Sequence, residues 1–132
     1  MNMTQAAKPK SRGEQTQQKI LEAAEEIFAN EGFDAARMED IGSIVGITRA
    51  GLFYYYKDKS ALYEAMLENV MSKVLFRMQE QLNPEIPLTE QIENCAVAWV
   101  DYVWHHPNFA RIIMREGAKP VISNSSNILT FD

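Results

Sequence analysis

A chain of 132 residues with 46% apolar and 23% charged residues is ordinary for a soluble globular protein, and its apolar runs are too short for a membrane span of about 20 residues. The basic N-terminus is not followed by the apolar stretch that a secretory signal requires. The single cysteine, Cys95, excludes an internal disulfide and a cysteine-rich metal site. We therefore expect a cytoplasmic protein without cofactor or metal. The net charge of −5 argues against nucleic-acid binding, although residues 1–60, with eight basic and nine acidic side chains, are almost neutral.

The first helix is predicted to begin near Ser11, which has capping-box spacing with Glu14. Its apolar stripe is expected to end at Gly32, where the helix stops. Phe33, just beyond that glycine, is then expected to lie over Phe28, because a hydrophobic contact of this kind accompanies glycine-terminated helices.

Two short helices follow, separated by a glycine turn. The apolar spacing predicts one helix from about Met38 to Val45, which Gly46 ends. The next helix is predicted to begin after Thr48, a good N-cap residue, and to run to about Tyr56.

Three longer helices are predicted after these two. Asp58 is placed to cap a helix from Lys59 to about Leu82, and a turn with two prolines separates it from a helix between about Leu88 and His105. The last runs from Pro107, which suits a first helical turn, to about Gly117. Because no alternating strand pattern of useful length is present, the fold is predicted to be all-α.

The segment IGSIVGITRAGLFYYY, residues 41–56, has the pattern of a helix-turn-helix. Two helices that cross steeply need a small residue at the crossing, which Gly42 supplies, and a turn residue that tolerates positive φ, which Gly46 supplies. Ile47 and Leu52 then fall where the second helix must lock onto the first. Alone, this spacing recurs by chance in many helical proteins.

The helix after Thr48 is predicted to present a free face to a major groove, which admits one helix and is contacted by residues near the helix N-terminus. Leu52, Tyr55 and Tyr56 fall largely on the inner face. Arg49 is the candidate for a bidentate contact to guanine. Ala50 and Gly51 are candidates because their small size lets the helix backbone approach the groove. Phe53 offers an aromatic ring on the free face, and Tyr54, Tyr55 and Lys59 are candidates for contacts with phosphate. The alternatives are a run of four core aromatics and ordinary surface charges.

The motifs EGF, DI, GIT, LFYYY and KDKSAL follow one another within residues 16–67. In this order and register they resemble the N-terminal head of the TetR family. The resemblance implies a three-helix DNA-binding head with a helix-turn-helix, a homodimer on a palindromic double-stranded DNA operator, and a C-terminal helical ligand-binding bundle for a small-molecule effector. It also implies DNA contacts at Thr48, Arg49, Gly51, Tyr54, Tyr55 and Lys59.

Three positions depart from the family's pattern. Arg37 stands where the family often has the Thr or Ser that caps the second helix, and we expect Arg37 to reach a phosphate instead. Phe53 replaces a usual Tyr, and Gly51 replaces a frequent Thr, so one phosphate contact and one base contact are expected to be absent.

The resemblance divides the chain into a flexible basic tail (1–12), a DNA-binding head (13–58) and a helical regulatory domain (59–132). Family members continue with several more helices, so the chain is expected to be a truncated member or one with a reduced, partial bundle, in which dimerisation and a closed pocket are both in question. Candidate ligand-binding residues are Met66, Trp99, Tyr102, Val103, Phe109 and Ile113. Plain helix packing is an equal alternative for them.

The expected function is that of a ligand-responsive transcriptional repressor. The alternative is a truncated interaction modulator that pairs with a full-length relative without productive DNA binding. No enzyme is expected, because no nucleophile with an attendant base, phosphate-binding glycine loop or carboxylate pair stands out. The adjacent His105 and His106 point in different directions on a helix and do not predict a metal site.

Overall fold

The computed structural model describes residues 9–117, and all the regular structure in that span is helical. The order is α1 (Arg12–Ala35), α2 (Met38–Val45), α3 (Arg49–Tyr55), α4 (Lys59–Gln79), α5 (Leu88–His105) and α6 (Pro107–Gly117). The prediction of an all-α fold is confirmed. Most of the predicted tail and the final polar segment, residues 1–8 and 118–132, lie outside the described part. None of the described helices has the length and apolar character that crossing a membrane requires.

The chain divides into two compact units, with the boundary inside α4, after Ser72. In the first unit, α1 begins as predicted: the Glu14 amide donates to the Ser11 hydroxyl, and the Ser11 amide donates to the Glu14 carboxylate. Gly32, with φ 80° and ψ 172°, kinks α1, and helical geometry then resumes as far as Ala35. Helical geometry is thus interrupted at the glycine that was predicted to stop it, and a short helical segment follows as far as Ala35.

The aromatic residues at the end of α1 form a cluster with α4. The Phe28 and Phe33 rings stack at 6.1 Å, which confirms the predicted contact. Tyr63 of α4 packs edge-on against both rings, at 4.9 and 5.2 Å. The core beneath this cluster takes at least one fully buried side chain from each of the four helices, among them Ile20, Ile41, Leu52 and Leu62.

The second unit is built around α5 and α6. The ring of Phe109 packs edge-on against Tyr102, at 5.1 Å, and against Trp99, at 5.7 Å. Cys95 is half-buried rather than part of the core that its apolar stripe predicted. Helix α4 ends at Gln79, before the predicted Leu82, and the amides of Gln81 and Leu82 donate instead to carbonyls three residues earlier, at 3.0 and 3.1 Å.

Candidate nucleic-acid interface

The turn between α2 and α3 depends on two glycines. A Cβ atom on Gly42 would lie only 3.0 Å from the carbonyl oxygen of Ile47, so the close crossing requires glycine there. Gly46 has φ 83° and ψ 31°, the left-handed conformation that glycine adopts without strain. The amides of Gly46 and Ile47 both donate to the Gly42 carbonyl, at 2.8 and 2.9 Å. The predicted roles of both glycines are confirmed.

Helix α3 begins with a side-chain cap. The Gly51 amide donates to the Thr48 hydroxyl oxygen at 3.0 Å, as the sequence predicts for an N-cap residue. A Cβ on Gly51 would lie 3.3 Å from that oxygen and 3.6 Å from the Cβ of Ile47. Because Gly51 has no side chain, the Thr48 cap is undisturbed. For the same reason no side chain protrudes from the helix at this position, where a duplex would approach.

The residues of α3 divide between an anchored face and an exposed one. Leu52 is 0% exposed and Tyr56, just after the helix, is also buried. Arg49 and Ala50 are exposed, and Tyr54 is 83% exposed. Phe53 and Tyr55 are half-buried, and the Tyr55 ring lies edge-on to Tyr54 at 5.2 Å. The short helix is thus pinned by its inner side while its first turn and one tyrosine face solvent.

The Arg49 guanidinium is held by two neighbours. Its Nε lies 3.4 Å from Oε1 of Glu39, in the first turn of α2, and its Cζ lies 5.3 Å from the ring centre of Phe53. Glu39 was not among the residues predicted from the sequence. The sequence shows Glu39 only as an acidic residue ten positions before an arginine, and the pairing of these two side chains depends on how α2 and α3 cross.

Tyr56 connects the end of α3 to α1. Burial raises the pKa of the Tyr56 phenol above its usual value, and a hydrogen bond with the Gln17 side chain partly opposes that shift. The buried phenol is therefore neutral and acts as an anchor beneath the exposed face. Gln17, like Glu39, carried no local signal in the sequence.

The two other cations proposed for DNA contact have different surroundings. The Lys59 ammonium donates to the carbonyls of Asp34 and Ala36, at 3.3 and 3.2 Å, and lies 4.5 Å from the Phe33 ring centre. It therefore caps the C-terminal end of α1, where a positive charge is favourable. Arg37 is exposed and gives α2 no side-chain cap. Phosphate contacts from Lys59 and Arg37 remain predictions.

The residues proposed for ligand binding fall in both compact units. Met66 is fully buried in the first unit, whereas Tyr102 and Phe109 are buried in the second. Ile113 is half-buried. Trp99 and Val103 line an open groove of about 340 Å³ together with Val100, Trp104, Pro107 and Ala110. Within residues 9–117 no three His, Cys, Asp or Glu side chains lie close enough together to hold a metal ion.

Comparison with known proteins assigns the head to a described family. Residues 20–66 match the family model for bacterial regulatory proteins of the tetR family. The transcriptional repressor NicS of Pseudomonas putida is 29% identical over 104 residues, which are 78% of this chain and 49% of that protein. The transcriptional regulator RutR of Escherichia coli is 38% identical over 52 residues, 39% of this chain and 24% of that protein.

A solved structure shares the fold. The crystal structure of a TetR-like transcriptional regulator from a Rhodococcus species superimposes with a TM-score of 0.73 at 22% identity, over 76% of this chain and 55% of that one. The chain thus spans about half the length, or less, of the relatives it matches. The match places residues 20–66 with the N-terminal domain of the tetR family of bacterial regulatory proteins, and the helical fold of the described residues agrees with that match.

Proposed function

We propose that the chain is a sequence-specific DNA-binding transcriptional regulator that acts in the cytoplasm as a ligand-responsive repressor. The observation that carries the proposal is the division of α3: Leu52 is buried under the helix, while Arg49 and Tyr54 project from it into solvent. An exposed arginine and tyrosine over a rigid apolar anchor suit contact with a duplex. The relatives that match over this region are transcription regulators by name.

In the proposed complex α3 lies in the major groove with its N-terminal turn toward the base edges. Arg49 contacts guanine O6 and N7, the commonest specific contact in such complexes. The Tyr54 hydroxyl and the exposed Arg37 contact backbone phosphates, which fix the position of the helix on the duplex. The low surface at Ala50 and Gly51 lets the helix backbone approach the bases.

Members of this family act as dimers on operators and respond to small molecules. For this chain we propose two copies whose α3 helices occupy successive major grooves, about 34 Å apart. An effector would be held by residues of the later helices, such as Trp99 and Val103 of the open groove. It would change the affinity for DNA only if it binds the DNA-bound and the released conformations of the protein with different affinities.

The test is a mobility-shift titration of the 132-residue chain on the DNA upstream of its own gene. We expect a specific shift at low salt, a loss of about tenfold in affinity for Arg49→Ala, and about threefold for Tyr54→Phe, in line with a guanine contact and a single phosphate hydrogen bond. Arg77→Ala, which removes the same charge from the exposed side of α4, is the control and should change little. The proposal is wrong if no specific complex forms, or if Arg49→Ala binds as the unchanged chain does.

A further inference from the structure

The contact between Glu39 and Arg49 joins the two helices of the helix-turn-helix. Glu39 lies in the first turn of α2 and Arg49 is the first residue of α3. Their side chains meet at 3.4 Å although they are 46% and 64% exposed, respectively. An exposed ion pair of this kind adds little to folding stability. The helix dipole favours an acidic residue in this turn, as at Asp40, but it does not require that the carboxylate meet Arg49.

A carboxylate beside the proposed DNA surface also opposes binding, because it repels the phosphate backbone whatever the base sequence. If Glu39 serves DNA binding, it must therefore act through its contact with Arg49 and not through its charge alone. The distances show what it does to its partner. Glu39 contacts Nε of the Arg49 guanidinium, and the guanidinium Cζ lies over the Phe53 ring, 5.3 Å from its centre.

The remaining free edge of the guanidinium carries its two terminal nitrogens. These two N–H donors form a fork that matches the O6 and N7 acceptors of guanine. An arginine without neighbours samples many rotamers, and ordering it on binding costs entropy. Glu39 and Phe53 together reduce that freedom, and within residues 9–117 neither terminal nitrogen takes part in a hydrogen bond or ion pair.

We propose that Glu39 is a positioning residue that sets DNA sequence specificity by holding Arg49 for end-on contact with guanine. This rests on the proposed DNA-binding function and extends it to a residue of α2 that does not itself contact a base. Glu39 lowers affinity for all DNA and raises the preference for the correct base. Its removal should therefore move affinity and specificity in opposite directions.

The chain offers a matched control for the charge. Asp40 is the neighbouring exposed acid in the first turn of α2, with the same relation to the helix dipole, and it forms no ion pair within residues 9–117. Asp40→Asn and Glu39→Gln remove the same charge from the same turn. Only the second removes the charge that faces Arg49, because an amide oxygen is a weaker acceptor for a guanidinium than a carboxylate. Glu39→Asp keeps the charge but shortens the side chain by one methylene.

The experiment is selection of binding sites from a random duplex library by the full 132-residue chain and each variant, with Arg49→Ala used to identify the base position that Arg49 contacts. We expect Glu39→Gln to lose about fivefold in guanine preference at that position and to bind random duplex about twofold more tightly. Asp40→Asn should show only the twofold gain, and Glu39→Asp only the loss of preference. Circular dichroism of each variant checks that the helices are intact.

Three outcomes would overturn the proposal. If both Glu39→Gln and Glu39→Asp keep the guanine preference, Glu39 does not position Arg49, and the proposed DNA-binding function still stands. If Asp40→Asn loses the preference as Glu39→Gln does, the charge of the turn is responsible and not the contact. If the unchanged chain enriches no sequence at all, the proposed DNA-binding function fails and this proposal fails with it.

Discussion

The two compact units differ in how many large apolar side chains they leave exposed. In the first, side chains such as Phe28, Ile41 and Leu52 are buried, and among the described residues only Ile44 and Tyr54 of this kind are exposed. In the second, α5 leaves Ile92 60% exposed and Trp104 83% exposed. The residue types are alike, and the difference lies in what surrounds them. The contribution of an isoleucine to stability should therefore depend on its unit, and the same substitution in both units tests this.

The largest effect is expected for Ile41→Ala, which should lower the free energy of unfolding by about 2–5 kcal/mol because Ile41 is 0% exposed and its loss leaves a cavity. Ile92→Ala removes the same atoms from a site in contact with solvent and should cost less than about 0.5 kcal/mol. Urea unfolding followed by circular dichroism measures both values. Equal losses would show that Ile92 is covered in solution, and would remove the contrast between the units.

The next effect sharpens the contrast within the first unit. Gly42→Ala places a methyl group 3.0 Å from the Ile47 carbonyl oxygen, a backbone atom that cannot move without opening the turn. We expect a loss of about 1–3 kcal/mol, the usual range for overpacking. Gly13→Ala, in the open first turn of α1, meets nothing within 4 Å and should stabilise the chain by about 0.5–1 kcal/mol. The two variants should therefore shift the thermal midpoint in opposite directions, and a shift in the same direction contradicts the role given to Gly42.

The features that the sequence predicted correctly depend on short-range rules. The Ser11 cap, the Gly46 turn and the Thr48 cap each follow from residues within four positions of one another. The exposed face of α3 follows from the helical period alone. These elements also form most of the candidate site, and its location could therefore be predicted from the order of residues along the chain.

The features that the sequence did not predict join residues far apart in the chain. Lys59 caps α1 from 23 and 25 positions away, and Gln17 bonds Tyr56 across two intervening helices. Such contacts depend on how helices cross, which periodicity does not determine. The apolar stripe of α5 illustrates the same limit, because the pattern shows which residues share a face but not whether another element covers it.

A smaller effect tests the two helix caps of the turn region against each other. Thr48→Ala removes the oxygen that accepts from the Gly51 amide and should cost about 1 kcal/mol. Arg37→Thr gives α2 the side-chain cap that it lacks, at a residue already in extended geometry, and should gain a similar amount. Thermal unfolding measures both. If Arg37 also contacts phosphate as proposed, Arg37→Thr will bind DNA more weakly despite its higher stability, and unchanged DNA affinity would exclude that contact.

The smallest expected effect is on the free energy of unfolding at alkaline pH, through the buried Tyr56 phenol that anchors α3. Because burial raises the pKa of Tyr56, the folded state keeps its phenol proton at a pH where the unfolded chain, with a pKa near 10.0, has lost it. The folded state then binds more protons than the unfolded one, so stability falls as the pH rises from the unfolded pKa through the folded one. Tyr56→Phe cannot lose that proton. Its free energy of unfolding should therefore decline less between pH 9 and about pH 11 than that of the unchanged chain. Parallel declines for the unchanged chain and Tyr56→Phe would mean that the phenol is hydrated, and that Leu52 anchors the exposed face of α3 without it.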